Sequence, residues 1–312
     1  MDSTDNTVYH YTSPSGLLGI VDNGEDSKNA KLWFTRWDSL NDKSERYDIQ
    51  EVLKEYLKEY KALKGNDIRE EFQDAIQELI DTEVDEWELS ARPVMIDANE
   101  QTVSEMDSKN VYICSFSTDG DSLPMWNYYS KSSRYEGYAL GIDFAKWVEY
   151  IKSFRSYRLD RSRIIYEKND KRKKLDEILL KCEQSLENFK KRRDPEDVKP
   201  EDIERVKRDL SLSIAELQFC FKDKHFSHEK EVRVILRIPK DKDISNELPT
   251  KYRTGNGYII PYMEVSVPKE AITSVTVGPL LEKELAEKNV KEMMESRGYS
   301  CKVHTSEVPI RF

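Results

Sequence analysis

The sequence predicts an α+β protein in which a curved, mixed or antiparallel β-sheet core carries long helical insertions. Short runs rich in β-branched and aromatic residues occur toward both ends of the chain, and two long stretches between them carry apolar residues at helical spacing. The glycine motifs GxGxxG and GxxxxGK[ST] of nucleotide-binding parallel sheets are missing from the sequence. We therefore expect one elaborated domain over residues 1–312, rather than a doubly wound fold.

Eight segments have strand character because they are short and rich in Val, Ile, Tyr, Phe, Trp and Thr. A short helix is predicted after Ser13-Pro14, another over 123–129 and a third over 280–297. The predicted strands are 8–12, 32–35, 111–117, 138–144, 232–238, 258–267, 273–277 and 301–304.

Two helical insertions interrupt these strands. Apolar residues recur at helical spacing within 44–105, where Asp42 is the predicted helix cap. From Leu175 to Phe189 the apolar positions alternate four and three apart, which is typical of a helix seam. We read residues 168–222 as an antiparallel helical hairpin, and its narrow seam predicts that it projects independently of the core.

Composition limits the class of protein. The chain has 50 Lys and Arg against 60 Asp and Glu, a net charge of −10, which argues against a surface that binds nucleic acid phosphates everywhere. No apolar run approaches the ~20 residues that span a bilayer, and the four cysteines lack CxxC spacing. We expect a soluble, reduced, cytoplasmic protein with no membrane partner.

Short motifs occur in a recognisable order along nearly the whole chain, except for the two insertions. Together they resemble the domain-of-unknown-function family 2971 (DUF2971). The motifs are YHYT at 9–12, LWFT at 32–35, SLND at 39–42, SFS at 115–117, MW at 125–126, HEKEVR at 228–233, VGP at 277–279 and SEVPIR at 306–311.

Three of these segments also resemble the layout of the ADP-ribosyltransferase superfamily. They are a first strand with His10, a middle strand that leads into 123–126, and a late strand entered through 229–231. In that superfamily a first-strand His or Arg, a middle-strand Ser or Tyr and a fifth-strand Glu line one NAD-binding cleft. The first and middle segments are closest to the DNA-targeting toxins and the Glu-x-Glu pair to the arginine-modifying branch, so a protein or a nucleic-acid acceptor both stay open.

The resemblance implies catalytic roles for Glu231 and Glu229. Cleavage of the nicotinamide bond of NAD places positive charge on ribose, and a carboxylate beside the ribose stabilises that charge. Glu231 would be this carboxylate, while Glu229 orients it or acts as a base toward the acceptor. We expect Glu229, Glu231 and Arg233 to share one strand face, and a surface ion-pair ladder on an edge strand is the alternative.

The remaining site residues are predicted to bind NAD. His10 could hydrogen-bond a ribose hydroxyl or a phosphate, with a core histidine as the alternative. The two serines could bond one ligand or be small spacers, and the tyrosines after Trp126 could stack on a base. We expect His10, Ser115 and Glu231 to converge on one cleft with Tyr129 at its wall. The full predicted set is His10, Tyr11, Ser115, Ser117, Tyr128 and Tyr129.

The leading hypothesis is an ADP-ribosyltransferase-like enzyme that cleaves NAD and modifies a macromolecule, or hydrolyses NAD, as a toxin or phage-defence effector does. A catalytically inert module that binds a nucleotide or a partner is the alternative. A metal-dependent nuclease ranks third, because His225, His228 and Glu229 lack HExxH spacing and predict no catalytic metal.

Overall fold

The computed structural model describes thirteen stretches of the chain. The predicted cap at Asp42 lies outside them. The described residues are 6–22, 28–40, 45–63, 70–87, 89–90, 105–106, 111–129, 136–153, 157–192, 199–238, 243–255, 257–279 and 282–309.

Twelve strands occur in the described residues. Ten of them form one open, mixed sheet, while β3 and β4 pair only with each other. The strands are β1 (Thr7–Thr12), β2 (Asn29–Arg36), β3 (Leu89–Ser90), β4 (Glu105–Met106), β5 (Val111–Ser117), β6 (Tyr138–Asp143), β7 (Arg158–Arg163), β8 (Glu231–Arg237), β9 (Lys251–Gly255), β10 (Tyr258–Pro268), β11 (Ile272–Val277) and β12 (Lys302–Thr305).

The main path of the sheet runs β12-β11-β6-β1-β5-β2-β10-β9, and β8 and β7 branch from β5. The β11–β12 pair is parallel and the other pairs of this sheet are antiparallel. The α+β class with a mixed sheet is therefore confirmed.

Strand β5 joins the branches of the sheet. One edge pairs with β8 over seven residue pairs, from Val111 with Arg237 to Ser117 with Glu231. The other edge pairs with β1 through Tyr9 and Ser117 alone, and with β2 through two residue pairs near its start. The strands β1 and β2 thus meet different ends of β5.

Helices cover both faces of this sheet. The first one begins at Pro14, where the Ser13 hydroxyl accepts a hydrogen bond from the Gly16 amide at 3.1 Å. The helices are α1 (Pro14–Val21), α2 (Glu45–Leu63), α3 (Glu70–Asp81), α4 (Leu123–Tyr129), α5 (Phe144–Ile151), α6 (Lys168–Arg192), α7 (Pro200–Ala215) and α8 (Lys283–Ser296), with short 3₁₀ helices at 37–39, 84–86, 216–219, 224–229 and 269–271.

The two faces of the sheet have separate cores. On one face, residues such as Leu32, Phe116 and Val234 pack with Trp147 of α5 and with α1 and α8. On the other face, Ile113 and Ile235 pack with the helices of the two insertions. We call the first the α5 face and the second the insertion face.

The 168–222 hairpin does not project from the protein, so that expectation was wrong. Its buried residues belong to the same core as Ile113 and Ile235 of the sheet. Ile178 of α6 and Leu212 and Ala215 of α7 are also buried, although they lie outside the predicted seam, so the buried surface of the hairpin is wider than a helix-to-helix seam. The 44–105 stretch likewise contains the β3–β4 pair in addition to its helices.

Two features of the described residues bear on the class of protein. None of the helices in these stretches combines the length and the apolar character that a bilayer crossing requires. All four cysteines are free thiols.

Candidate functional site

A buried cluster of charged side chains lies where β8 begins. The Ser115 hydroxyl donates to Glu231 Oε1 at 2.7 Å, and Arg233 Nε donates to the same oxygen at 2.9 Å. Lys222 Nζ donates to Glu231 Oε2 at 3.0 Å and to Glu229 Oε2 at 2.7 Å. Two carboxylates and two cations thus neutralise one another away from water.

A local turn brings the two carboxylates to the same lysine. Glu229 ends a 3₁₀ helix and Glu231 begins β8, while Lys230 between them has φ 45°, in the left-handed region. Non-glycine residues adopt this region rarely. The sequence suggested that Glu229 and Glu231 share a strand face, and this was wrong. Glu229 reaches Lys222 because the backbone turns at Lys230, which is in the left-handed conformation.

Glu231 is ionised at neutral pH. Burial disfavours its charge, but the charges of Arg233 and Lys222, with hydrogen bonds from Arg233 and Ser115, outweigh burial and lower the pKa to about 2. The Tyr166 hydroxyl accepts a hydrogen bond from the Glu231 amide at 2.8 Å, and burial raises the pKa of Tyr166 to about 12. The surface-ladder alternative does not fit, because Glu231 is buried and β8 lies between β5 and β7.

Most of the predicted site residues surround one small cleft. Its volume is about 20 Å³, far below the roughly 300–1,000 Å³ of ligand pockets. The chain contributes to it from three distant regions: β1, the β5–α4 segment and the start of β8. The lining residues are Tyr9, His10, Tyr11, Ser115, Phe116, Met125, Tyr129, Glu229 and Glu231.

His10 enters this cleft from the other face of the sheet. Paired residues of neighbouring strands share a face, so Tyr9, Ser117 and Glu231 lie on the insertion face. His10 follows Tyr9 and thus belongs to the α5 face, where its ring lies 5.5 Å from that of Phe116. It reaches the cleft because the β1–β5 pairing stops after Tyr9. This opposite placement weakens the expectation of one shared ligand surface.

His10 is held by the backbone of β5. Its Nδ1 lies 3.2 Å from the Ser115 carbonyl oxygen, an acceptor that requires the proton on Nδ1. Burial lowers the pKa of His10 and the Ser115 bond offsets this in part. The neutral ring also lines a second cavity of about 170 Å³ between β1, α1 and Trp33 of β2.

Three other predicted residues have structural partners. The Ser117 hydroxyl donates to the Glu229 carbonyl oxygen at 2.7 Å, and the Tyr11 hydroxyl donates to the Asp119 carbonyl oxygen at 2.8 Å. Tyr128 is exposed, stacks on His228 and does not line the cleft. Their assignment to cofactor binding stays a prediction, with Tyr128 placed least favourably.

The sequence motifs identify neither a set of metal ligands nor the two cations of the cluster, Lys222 and Arg233. In the stretches that the structure describes, no group of three or more His, Cys, Asp and Glu is arranged to hold a metal. Sequence reasoning missed Lys222, whose only signal is its place shortly before the Glu-x-Glu pair. It noticed Arg233 but not its burial, although a charged residue in the apolar run 232–236 is such a signal.

Comparison with known proteins gives one match. Residues 125–234 match the model of a protein family of unknown function, DUF2971. Neither a search of curated proteins nor a search of solved structures finds a match. Over residues 125–234, which include most of α4, the 168–222 hairpin and the charged residues of the Glu231 cluster, the chain is thus similar to DUF2971. The motifs predicted this resemblance over nearly the whole chain except the two insertions, and the match confirms it for this part of the chain.

Proposed function

We propose that the protein is an ADP-ribosyltransferase-like enzyme that cleaves NAD at the Glu231 cleft and transfers ADP-ribose to a macromolecule or to water. The observation that carries the proposal is the 2.7 Å hydrogen bond from Ser115 to Glu231 in a cleft that His10 also lines. These are the three residue types, on a first, a middle and a late strand, that the resemblance implies.

The chemistry needs an ionised carboxylate beside the ribose. When the bond between ribose and nicotinamide breaks, its electron pair leaves with nicotinamide and the ribose becomes cationic. A pKa of about 2 keeps Glu231 charged at neutral pH, and Ser115 and Arg233 fix the carboxylate in place. Such a preorganised charge stabilises the transition state without reorganisation. The acceptor oxygen or nitrogen then bonds to the ribose carbon, and Glu229 would take its proton.

Cytoplasmic NAD would supply the substrate, and the free cysteines suit that compartment. A role as a toxin or phage-defence effector belongs to the same proposal. The cleft must widen to admit NAD, because its present volume of about 20 Å³ is far below the range of ligand pockets.

The test is nicotinamide release from NAD, measured by chromatography, together with transfer of label from NAD to a cell lysate. Glu231→Gln should lower release by about 100-fold or more, as loss of one transition-state contact does. Ser115→Ala tests the same carboxylate without unpairing Arg233. The exposed Glu51→Gln on α2 is the matched control and should keep full activity. No release by folded wild-type protein, or full activity of Glu231→Gln, would refute the enzyme.

A second candidate function is favoured by the neutralised charge of the cluster. Glu231 already bonds two cations, so a ribosyl cation gains less from it than from an unpaired carboxylate. A catalytically inert module that binds a nucleotide in the cleft fits this observation. Calorimetric binding of NAD to the wild-type protein without nicotinamide release would select the module over the enzyme.

A further inference from the structure

A surface of aromatic and basic residues extends from the candidate site across β2, β10 and β9. Two aromatic rings are exposed on it: Trp33 of β2, 48% exposed, and Tyr258 of β10, 63% exposed. The Trp33 ring packs on Tyr262, with centroids 4.6 Å apart. We call this the aromatic surface.

Strand register places these side chains on one face. Trp33 pairs with Glu264, Thr35 with Tyr262 and Gly255 with Tyr258, and alternate residues of β10 share a face. Thr35 also pairs with Ile113 of β5, which packs in the core of the insertion face. The aromatic surface is therefore part of the same sheet face as Ser115 and Glu231.

The cations of this surface run beside the aromatic rings. On β9, Lys251 pairs with Tyr262 and Arg253 with Ile260, so both lie alongside the row from Tyr262 to Tyr258. That row is about 14 Å long at roughly 3.4 Å per residue. Arg253 Nη2 donates to the Thr35 hydroxyl at 3.1 Å and so lies across β10.

The local charge is opposite to that of the chain. Among the described residues of β2, β9 and β10, Lys31, Lys251 and Arg253 share the aromatic surface with one carboxylate, Glu264, which accepts from Lys251 Nζ at 2.7 Å and lies 3.8 Å from Lys31 Nζ. Three cations and one anion give a local charge of +2, in a protein with a net charge of −10. A ligand that prefers this surface to the rest of the protein is therefore anionic.

We propose that the aromatic surface binds single-stranded nucleic acid. Unpaired bases stack on exposed aromatic rings of sheets, and adjacent Lys and Arg side chains contact the phosphates. Two exposed rings on neighbouring strands, Trp33 of β2 and Tyr258 of β10, with cations beside them, match this chemistry and not that of a duplex, whose bases are stacked on one another. DNA and RNA share these features.

The position of the aromatic surface gives the bound nucleic-acid strand a role, and this role rests on the proposed function. Thr35 of β2 pairs with Ile113 of β5, and the two strands are antiparallel. Trp33, two residues before Thr35, therefore lies toward Ser115, two residues after Ile113. Trp33 is thus the aromatic ring of this surface nearest to the cleft. Trp33 and His10 also line one cavity. A strand stacked on Trp33 would present its next nucleotide to Glu231, as the acceptor of ADP-ribose.

Binding is tested without NAD, by fluorescence anisotropy of a labelled oligothymidylate of about 16 nucleotides, a length that covers the usual site sizes. Trp33→Ala and Tyr258→Ala should each weaken binding by about 5-fold to 100-fold, the effect of losing one stacked base. Lys251→Ala should reduce the salt dependence by about 0.7 in the logarithmic slope. Circular dichroism checks that Trp33→Ala is folded, and Tyr258→Ala, at an exposed site, supplies an independent variant.

The opposite face of the β9–β10 strand pair supplies matched controls. Tyr252 and Ile259 are 67% and 73% exposed but pair with Pro261 and Thr254, on the opposite face. Tyr252→Ala and Ile259→Ala should bind as the wild type does. Binding of oligouridylate with equal affinity indicates RNA as a second source, and tighter binding of either polymer identifies the preferred one. No salt-sensitive binding, tighter binding of duplex, or an equal loss in Tyr252→Ala would overturn the proposal, whether or not NAD is cleaved.

Discussion

Replacing Arg233 with methionine should remove a large part of the stability of the protein. The Arg233 side chain is 2% exposed, donates to Glu231 Oε1 at 2.9 Å and donates from Nη1 to the Phe219 carbonyl oxygen at 3.3 Å. Methionine removes the charge and these hydrogen bonds, and leaves Glu231 buried with Lys222. Removal of one partner from a buried ion pair costs about 3–5 kcal/mol.

The pKa of Glu231 reflects burial and the combined effect of Arg233, Lys222 and Ser115. Its ordinary value of 4.5 falls to about 2 in the folded protein, and such a shift corresponds to about 3 kcal/mol of unfolding free energy. Because the folded pKa is the lower one, this stabilisation is present above pH 4.5 and is lost as the pH falls toward 2.

Urea unfolding at pH 7, followed by circular dichroism, measures this loss for Arg233→Met. The double variant Glu231→Gln/Arg233→Met should recover part of it, because the amide leaves no buried charge unpaired. Lys54→Met breaks the exposed Lys54–Glu51 pair and should change stability by less than about 0.5 kcal/mol. A loss below about 1 kcal/mol, or strictly additive effects in the double variant, would refute the reasoning.

Two further predictions follow from the packing. Deletion of residues 168–222 should abolish cooperative thermal unfolding, because it exposes the core that the hairpin shares with Ile113 and Ile235 and removes Lys222; a cooperative melt of the deletion variant would contradict this. Burial lowers the pKa of His10, so its contribution to stability is present above about pH 6.5 and declines below it. Urea titrations at pH values from about 7 to about 5 should show a smaller decline in the free energy of unfolding for His10→Gln than for the wild type. An unchanged decline would assign the pH dependence to other groups.

Hydrophobic pattern was enough to find the buried strands. The segment 111–117 has mostly apolar or small residues, and the structure places β5 on those residues. Strand β7 escaped detection because Arg158–Arg163 contains Leu159 as its one apolar side chain. It pairs only with β8, and its Asp160 is bonded by Arg237 of that strand at 2.8 Å. An edge strand that carries charge lacks the apolar alternation that reveals a strand.

The candidate site was predictable in residue type but not in geometry. Alternation tells which residues of one strand share a face, so Ser115 and Ser117 were correctly placed together. Whether His10 shares that face depends on the register between strands over a hundred residues apart, which pattern alone does not give. Lys222 lies outside any strand, and only tertiary packing brings it between Glu229 and Glu231.

The unequal edges of β5 have a consequence for amide hydrogen exchange. Seven residue pairs hold β8 to one edge, so the amides between β5 and β8 should exchange only when the whole protein unfolds. The other edge has one residue pair to β1 and two to β2. Separation of β1 from β5 breaks this single pair and the hydrogen bond between His10 and the Ser115 carbonyl oxygen. It would also connect the two cavities that His10 lines. The β1–β5 pairing is thus the place where the sheet can separate to accept a larger ligand. Faster amide exchange at Tyr9 than along β8 would record that motion.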